Sequence, residues 1–358
     1  MQPSHRNLLI ASAAAIVVLT AGYFVTRSGA SGFFAAAESE SGTLSGNATV
    51  INDASASDNK AIQFNAPPVT PPPSGGGGGG GTTPPSSRPD PFPASMKPDA
   101  SNTGVVPGTT LTVVNGSQTY GPSANGQTIS GKDFHGFITV TGANITFVNC
   151  IFRGQPTSSN HALLDTEDST GTITVKDSEF VPSNPSATID GLATRNTNLY
   201  RVNIHGGVDG MKADSNTLVQ DSYIHDMSWF ANDPNQGGTP THNDGAQSFA
   251  GESNVTLRHN NIDMSTTNDP NAALQSSAPN THVENNWLDG GGCTLNFAAQ
   301  PYNGATMTNI YITGNRFGRH QGFTGCAILI SNKTVLSQNS GNVWDDTGLP
   351  IPAPQQHD

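Results

Sequence analysis

Short segments that end in a large apolar residue recur throughout the C-terminal part of the chain. Eight of them align as NCIF (149–152), DSEF (177–180), RVNI (201–204), DSYI (221–224), HNNI (259–262), ENNW (284–287), GNRF (314–317) and GNVW (341–344). Their last residues, the anchors, lie on average about 27 residues apart, a period longer than that of hexapeptide helices and shorter than that of propeller blades. The spacing predicts a coil with three short strands in each turn.

A second strand lies in every repeat, and its apolar and polar positions alternate. The aligned segments are HALLD (161–165), ATIDG (187–191), DGMKA (209–213), DGAQS (244–248), AALQS (272–276), CTLNF (293–297) and CAILI (326–330). Because successive side chains of a strand point to opposite faces, the third residue of each is predicted to point inward and the fourth outward. The inward set is Leu163, Ile189, Met211, Ala246, Leu274, Leu295 and Ile328. The outward set is Leu164, Asp190, Lys212, Gln247, Gln275, Asn296 and Leu329.

Asparagines stand two positions before the last four anchors, at Asn260, Asn285, Asn315 and Asn342. Identical amides on parallel turns can form a side-chain ladder. Together, these repeats resemble the right-handed parallel β-helix of the pectate-lyase-like superfamily, over roughly residues 107–347. The resemblance implies an all-β domain of about eight turns over 102–350, with a C-terminal tail at 351–358. That fold hosts lyases, hydrolases, esterases and adhesins, so it leaves the function open.

Cys293 and Cys326 occupy the same column of adjacent turns. Neighbouring strands lie about 4.8 Å apart, a distance that a disulfide accepts. We therefore expect the two cysteines to be bonded in an exported chain, the alternative being two small buried thiols. Cys150, beside the anchor Phe152, is expected to be a free and inert thiol.

The N-terminal residues predict export and a tether. Residues 8–25 form an uncharged run long enough to cross a bilayer, and His5 and Arg6 precede it. We interpret 1–30 as a membrane anchor, with a cleaved signal as the alternative and an extracellular location in either case. Within 31–65, residues 35–64 read AAAESESGTLSGNATVINDASASDNKAIQF. This stretch resembles the start of a β-sandwich carbohydrate-binding module, but it is too short to fold alone. Residues 66–101, with their proline blocks and seven consecutive glycines, are predicted to be a disordered linker.

The charge composition limits which classes of binding partner the chain can have. Charged residues are 12% of the chain and the formal net charge is −12. Nucleic-acid binding needs clustered Lys and Arg, which are absent, so no nucleic-acid partner is expected. The predicted partners are an extracellular polysaccharide and, through the N-terminal helix, the membrane.

The middle of the outward column is polar and forms a ridge that would suit an extended polymer. Beside it lies the longest repeat, whose loop contains Trp229 and Phe230 as possible sugar platforms. Outward residues of any β-helix tend to be polar, so a purely structural ridge is the alternative. We predict Gln247, Gln275, Asn296, Trp229 and Phe230 as substrate-binding residues.

Candidate catalytic residues gather on two neighbouring turns: Asp190, Asp209, Lys212, His242 and Asp244. Asp209 and Asp244 share a column, and like charges that close raise one pKa, as a carboxyl general acid requires. A glycoside hydrolase would use the carboxylates, with His242 assisting. A polysaccharide lyase would use Lys212 as base. Asp-Gly is also an ordinary turn former.

We expect a glycan-cleaving enzyme and favour a hydrolase slightly, because the negative charge repels anionic polymers. A non-catalytic adhesin or structural surface protein is the alternative. No metal or cofactor is predicted from motif spacing, although the TNDPN loop (267–271) could hold calcium.

Overall fold

The computed structural model describes residues 48–52, 60–64, 88–298 and 305–357. Two compact units are present, divided after Gly81. In the first unit, β1 (Ala48–Asn52) and β2 (Lys60–Phe64) pair antiparallel. Among the described residues no helix has the length and apolarity that a membrane crossing needs, and the predicted anchor at 8–25 lies outside them.

The second unit is a parallel β-helix, in which the strands of successive coils stack into three parallel sheets. Sheet S1 contains β3 (Thr112–Asn115), β6 (Lys132–His135), β9 (Ile151–Phe152), β12 (Glu179–Phe180), β15 (Asn203–His205), β18 (Tyr223–His225), β21 (Asn261–Asp263), β24 (Trp287–Asp289), β27 (Arg316–Phe317) and β30 (Val343–Trp344). Sheet S2 contains β4 (Gln118–Tyr120), β7 (Ile138–Val140), β10 (His161–Asp165), β13 (Ile189–Thr194), β16 (Met211–Ala213), β19 (Asp244–Ser248), β22 (Ala272–Ser276), β25 (Leu295–Phe297), β28 (Ile328–Ser331) and β31 (Gln355–His357). Sheet S3 contains β5 (Thr128–Ser130), β8 (Thr146–Val148), β11 (Ile173–Lys176), β14 (Thr197–Tyr200), β17 (Thr217–Gln220), β20 (Val255–Arg258), β23 (Thr281–Glu284), β26 (Met307–Thr313) and β29 (Thr334–Ser340). Two one-turn 3-10 helices, Pro122–Ala124 and Pro234–Gln236, lie in the connections.

The stack is longer than the repeats predicted. Nine complete coils, each with one strand from each sheet, are present in the described residues, against the predicted eight or so. The first coils precede the first aligned anchor, and Phe134 stands one coil before Phe152 in S1. At the other end, β31 pairs with β28, so S2 extends into the segment predicted as a tail.

The core lies between the three sheets. In S1 its column begins with the rings of Phe134, Phe152 and Phe180, whose centroids lie 5.1 and 4.6 Å apart. In the sixth aligned repeat the prediction was wrong by one residue: Leu288, not Trp287, pairs with Ile262 and is buried. Trp287 is only partly buried, because its register partner is Asn261, the residue before the inward position.

The same shift corrects the asparagine ladder. Its members are Asn260, Asn286, Asn315 and Asn342, and the backbone N–H of each of the first three donates to the side-chain oxygen of the next at 2.8 to 2.9 Å. Asn285, predicted as a member, is exposed and has a φ of 56°. The ladder satisfies polar groups that would otherwise be unpaired inside the coil.

In S2 the predicted columns are right from the fifth coil onward and wrong before it. Met211 pairs with Leu192, and Leu192 pairs with Leu164. In the inward column, Leu192 therefore replaces the predicted Ile189, and Leu164 replaces the predicted Leu163. Leu164, predicted to point outward, is buried. Leu163 and Ile189 are also buried, and two apolar residues in one short segment leave the register ambiguous.

A segment predicted as linker packs on the coil. Each turn from S3 to S1 contains a corner residue with positive φ, and the first five after β8 are Asn149, Asp177, Arg201, Asp221 and His259. Residues 88–106, which we call the strap, contact all five. The contacts are Val106 N to Asn149 Oδ1 (3.0 Å), Arg88 to Asp177 (3.4 Å), Asp90 to Arg201 (2.9 Å), Phe92 N to Asp221 Oδ2 (3.1 Å) and His259 Nε2 to the Ala94 carbonyl (3.3 Å). Phe92, within the strap, is buried.

Candidate functional site

Three successive S2 strands carry an Asp-Gly dipeptide at or just before their start: Asp190-Gly191 in β13, Asp209-Gly210 before β16 and Asp244-Gly245 in β19. The residue after each dipeptide is Leu192, Met211 or Ala246, and these three are register partners in neighbouring strands. The three aspartates therefore lie one above another on adjacent coils, and we call them the aspartate column.

The glycines of these dipeptides are required by close packing. A Cβ on Gly210 would meet the carbonyl oxygen of Gly245 and lie 2.6 Å from Cγ2 of Ile224. A Cβ on Gly245 would lie 2.5 Å from Cγ2 of Ile262. Without side chains here, Gly210 N donates to the carbonyl of Asp244 at 2.9 Å and keeps the coils in contact.

Each carboxylate of the column is held by the next coil. Asp190 Oδ1 accepts the backbone N–H of Asp209 at 3.1 Å, and Asp209 Oδ1 accepts that of Asp244 at 2.7 Å. The Asp244 carboxylate accepts from Asn271 Nδ2 at 3.0 and 3.1 Å. The fold thus fixes the carboxylates before any ligand arrives.

Lys212 bridges two carboxylates of the column. Its ammonium contacts the carboxylate of Asp209, lies 3.8 Å from Asp190 Oδ2 and donates to Gln247 Oε1 at 2.7 Å. Burial lowers the pKa of Lys212, but the negative charges of Asp209 and Asp190 outweigh it and raise that pKa above its ordinary value. The ammonium therefore keeps its proton throughout the physiological range.

The column contains groups that hold protons more tightly than ordinary aspartates. Burial in the pocket floor, reinforced by the negative charge of Asp209, raises the pKa of Asp190 to about 6. Its side chain still has 26% of its surface exposed, so a ligand can reach it. Complete burial, followed by the charge of Asp209, raises the pKa of Asp244 well above the usual range.

Two members of the column, Asp190 and Asp209, line a pocket of about 300 Å³ at the start of the S2 strands. Its walls come from the connections before β10, β13, β16, β19 and β22, and the connection before β19 is the long loop predicted from the repeat lengths. Asn243 fixes the end of that loop, because its buried amide donates to the carbonyls of Val208 (2.6 Å) and Ser228 (2.8 Å). Asp233, on the same wall, caps the 3-10 helix by accepting from Asn235 N at 2.8 Å.

A second pocket, of about 380 Å³, shares His242 and Asn271 with the first and continues along S2. Its far wall is Phe323, which is 67% exposed. The structure confirms the disulfide Cys293–Cys326, with a Cα–Cα distance of 4.8 Å, and this bond joins the two connections that form the wall. The two pockets together make one groove.

Most of the predicted site residues meet in this groove. The first pocket is lined by six of them: Asp190, Asp209, Lys212, His242, Gln247 and Gln275. Asp244 lies directly behind, with no exposed surface. Asn296 follows Gln275 in the column, one coil further on. Trp229 and Phe230 are partly buried and line neither pocket.

One placement differs from the prediction. Asp190 does not share the outward column with Lys212, because Ala193 is the register partner of Lys212. Asp190 reaches the ammonium from the aspartate column instead. The repeated Asp-Gly dipeptide was the signal that could have placed it.

Three contributors were missed by sequence reasoning. Asp233 and Asn271 line the first pocket, and Phe323 lines the second. The Asp-Pro pair at Asp233 is a recognisable helix start, and Asn271 ends the loop that was considered for calcium. Nothing in the local sequence of Phe323 distinguishes it from a core residue.

Cys150 is buried and unbonded, and burial raises the pKa of its thiol to about 11. Within the described ranges, no three His, Cys, Asp or Glu side chains converge as metal ligands would. Comparison with protein-family models, with curated proteins and with solved structures gives no match to this chain. Its function has to be inferred from the geometry of the groove.

Proposed function

We propose that this chain cleaves a polysaccharide by glycoside hydrolysis in the S2 groove. The observation that supports this most strongly is the pair of neighbouring carboxylates bridged by Lys212, one of them with a pKa of about 6 and open to the pocket. Hydrolysis of a glycosidic bond needs a protonated carboxyl group beside an ionised one, and their environments must push the two pKa values apart.

In this proposal Asp190 is the general acid. Its raised pKa keeps a large share of the carboxyl protonated in mildly acidic solution, and its partial exposure lets it approach a glycosidic oxygen. Asp209 is the ionised partner, since Lys212 and the N–H of Asp244 both stabilise its negative charge.

The spacing favours one stereochemical course. Adjacent strands in a sheet lie about 4.8 Å apart, and retaining glycosidases hold their carboxyl groups roughly 5 to 5.5 Å apart. Asp190 and Asp209 are on adjacent coils, and Asp209 lines the pocket floor with 3% of its surface exposed, so we propose that Asp209 is the nucleophile of a retaining reaction on a sugar seated against that floor. Asp244 is a positioning residue, because it lines neither pocket; its carboxylate holds Asn271, and its backbone N–H holds the Asp209 carboxylate.

The lyase alternative has less support. A lyase base must accept a proton, whereas the carboxylates around Lys212 keep its ammonium charged. The adhesin alternative gives no role to a carboxyl group whose pKa lies near 6 inside a ligand-sized pocket.

The setting completes the proposal. We propose that the β-helix is of the right-handed, pectate-lyase-like kind and that the chain is held outside the cell by its N-terminal segment. The proposed reaction uses only side chains of the groove.

The test is product analysis with the full-length protein on a panel of neutral and acidic polysaccharides. New reducing ends without ultraviolet absorbance are expected from the wild type, with loss of at least about 100-fold in rate in Asp190→Asn and Asp209→Asn. Asp168→Asn, the same change at an exposed turn outside both pockets, should keep full activity. Unsaturated products that absorb ultraviolet light would indicate the lyase. Binding without cleavage would indicate the adhesin.

A further inference from the structure

We infer that the groove selects a neutral glycan over a uronic acid polymer, and that Phe323 is a stacking platform for a sugar ring at its far end. This inference rests on the proposed function and deepens it by naming the substrate class. Three observations support it: the negative charge of the groove lining, the contacts that already occupy the Lys212 ammonium group, and the exposure of Phe323.

The groove lining is acidic. The ionisable side chains that line the two pockets are Asp190, Asp209, Asp233, Asp269, His242 and Lys212. Four of them are carboxylates and one is an ammonium group. A sugar carboxylate entering this lining would face carboxylates at short range in partly desolvated surroundings, where repulsion is strong.

The single ammonium group is already engaged. Lys212 has three N–H donors, and it contacts the carboxylates of Asp209 and Asp190 and the side-chain oxygen of Gln247. Arg195, in the turn after β13, lines neither pocket and binds Glu252 at 2.9 Å. In the described part of the chain, the groove therefore offers no uncommitted Lys or Arg to a uronate.

Uncharged amides line the groove beside these charged groups. Gln247 and Gln275 project from neighbouring strands, and Asn271 stands beside them. A primary amide both donates and accepts hydrogen bonds, which suits the hydroxyl groups of a neutral sugar. Asn296 extends the same column by one coil.

Phe323 gives the far end an apolar surface. Its loop is tied down, because Phe323 N donates to the carbonyl of Gly292 at 2.9 Å and the Cys293–Cys326 bond lies beside it. The ring lies against Gly292, where an added Cβ would be 3.3 Å from Phe323 Cε2. A large apolar ring that is exposed in a pocket, on a loop that is tied down, is an arrangement that ligand sites use to bind the apolar face of a ligand.

The two ends are separated by an oligosaccharide length. From Lys212 on β16 to β25, whose preceding connection contains Gly292 against the Phe323 ring, there are three coil steps of about 4.8 Å, or about 14 Å. A chain of several sugar units is needed to contact both Lys212 and Phe323. We therefore expect short oligosaccharides to miss the Phe323 contact.

The charge test uses matched pairs of probes. Each neutral polymer of a panel (cellulose, mannan, galactan and β-1,3-glucan oligosaccharides) is compared with the same polymer oxidised at C6 to the uronate. We expect at least about tenfold tighter calorimetric binding of the neutral member by the full-length protein, with a smaller ratio in Asp233→Asn, which keeps a helix-capping side chain while removing one charge. Equal or tighter binding of the oxidised member, or no binding of any pair, overturns the inference.

The platform test uses chain length. Phe323→Ala should weaken hexasaccharide binding about tenfold and leave disaccharide binding unchanged, and Phe323→Tyr should bind as the wild type does. Leu349→Ala, which removes a comparably exposed apolar side chain outside the groove, is the matched control. Equal losses for both lengths, with unchanged thermal unfolding, overturn the platform. Binding is measured separately from turnover, so the two proposals can fail independently. Preferential cleavage of the oxidised polymer would overturn this inference alone. Binding without cleavage would overturn the proposed function alone.

Discussion

The carboxylate of Asp209 accepts the backbone N–H of Asp244, one coil further along, at 2.7 Å. The same carboxylate contacts Lys212 through its other oxygen. One side chain therefore joins two coils of the fold and the charged centre of the groove. Substitutions here have to be judged by both stability and activity, since a loss of either can follow from the same hydrogen bonds.

The pH dependence of cleavage should report Asp190. A general acid with a pKa of about 6 is protonated below that pH, so kcat/KM should fall as the pH rises through about 6. The measurement is a profile of kcat/KM on whichever polymer the wild type cleaves. Asp168→Asn should keep the same descending limb, and a rate that stays level from about pH 5 to about pH 8 would contradict the role of Asp190 as acid.

Asp244→Asn should change how stability depends on pH. The folded-state pKa of Asp244 is raised, so its buried charge costs folding free energy above that pKa and the cost shrinks as the pH falls. The variant, which does not titrate, should gain stability over the wild type at about pH 8 and lose that advantage toward about pH 5. Urea unfolding at several pH values measures the difference; the same difference at every pH would show that Asp244 does not titrate in this range.

Gly210→Ala should destabilise the coil by on the order of 3 kcal/mol, because its Cβ would overlap Gly245 and Ile224. Urea unfolding is the measurement. Gly121→Ala is the control: its Cβ would approach only Thr141 Oγ1, at 3.5 Å. Equal effects of the two substitutions would mean that the glycines after the aspartates are not packed as described.

Asn286→Ala should cost about 3 kcal/mol, because it leaves the N–H of Asn260 and the carbonyl of Leu257 unpaired inside the coil. Its exposed neighbour Asn285 has positive φ, which glycine tolerates, so Asn285→Gly should change stability by less than about 1 kcal/mol. Thermal and urea unfolding of these two variants tests the register directly. A larger loss of stability in Asn285→Gly than in Asn286→Ala would mean that Asn285 is the ladder member, as the sequence predicted.

His259 should make the strap sensitive to pH. The hydrogen bond to Asp221 raises the pKa of His259, so its contribution to stability is complete below about pH 6.5 and is lost as the pH rises through the folded-state pKa. His259→Ala should therefore lower unfolding stability by about 2 kcal/mol at about pH 6 and by less at about pH 9. His357→Ala, at an exposed position of β31, is the control, and a loss at His259 that does not vary with pH would contradict the assignment.

The sequence alone predicted the architecture because core columns repeat. The apolar anchors, the polar ridge from Lys212 to Asn296 and the pairing of Cys293 with Cys326 all follow from aligning residues that must occupy equivalent positions on stacked coils. Register failed where a repeat offered two equivalent choices, as at Trp287 and Leu288, since one apolar residue in a short segment can be exchanged for its neighbour without changing the pattern.

The walls of the groove could not be predicted in the same way. Asp233 and Phe323 lie in connections that differ from coil to coil, so no repeat constrains them. The exposed aromatic was therefore assigned to Trp229 and Phe230, in the longest loop, rather than to Phe323, in a loop fixed by a disulfide. Asp209 and Lys212 were found because they belong to the segment 209–213, which aligns with its counterparts in the other repeats.

The strap has a consequence for how the molecule comes apart. In a stacked coil each turn touches only its neighbours, so such proteins can fray from an end while the remainder stays folded. The strap instead contacts corner residues on five successive coils, from Asn149 to His259. Loss of any one of these coils removes support from the other four, so the coils around the aspartate column should open together in a single step.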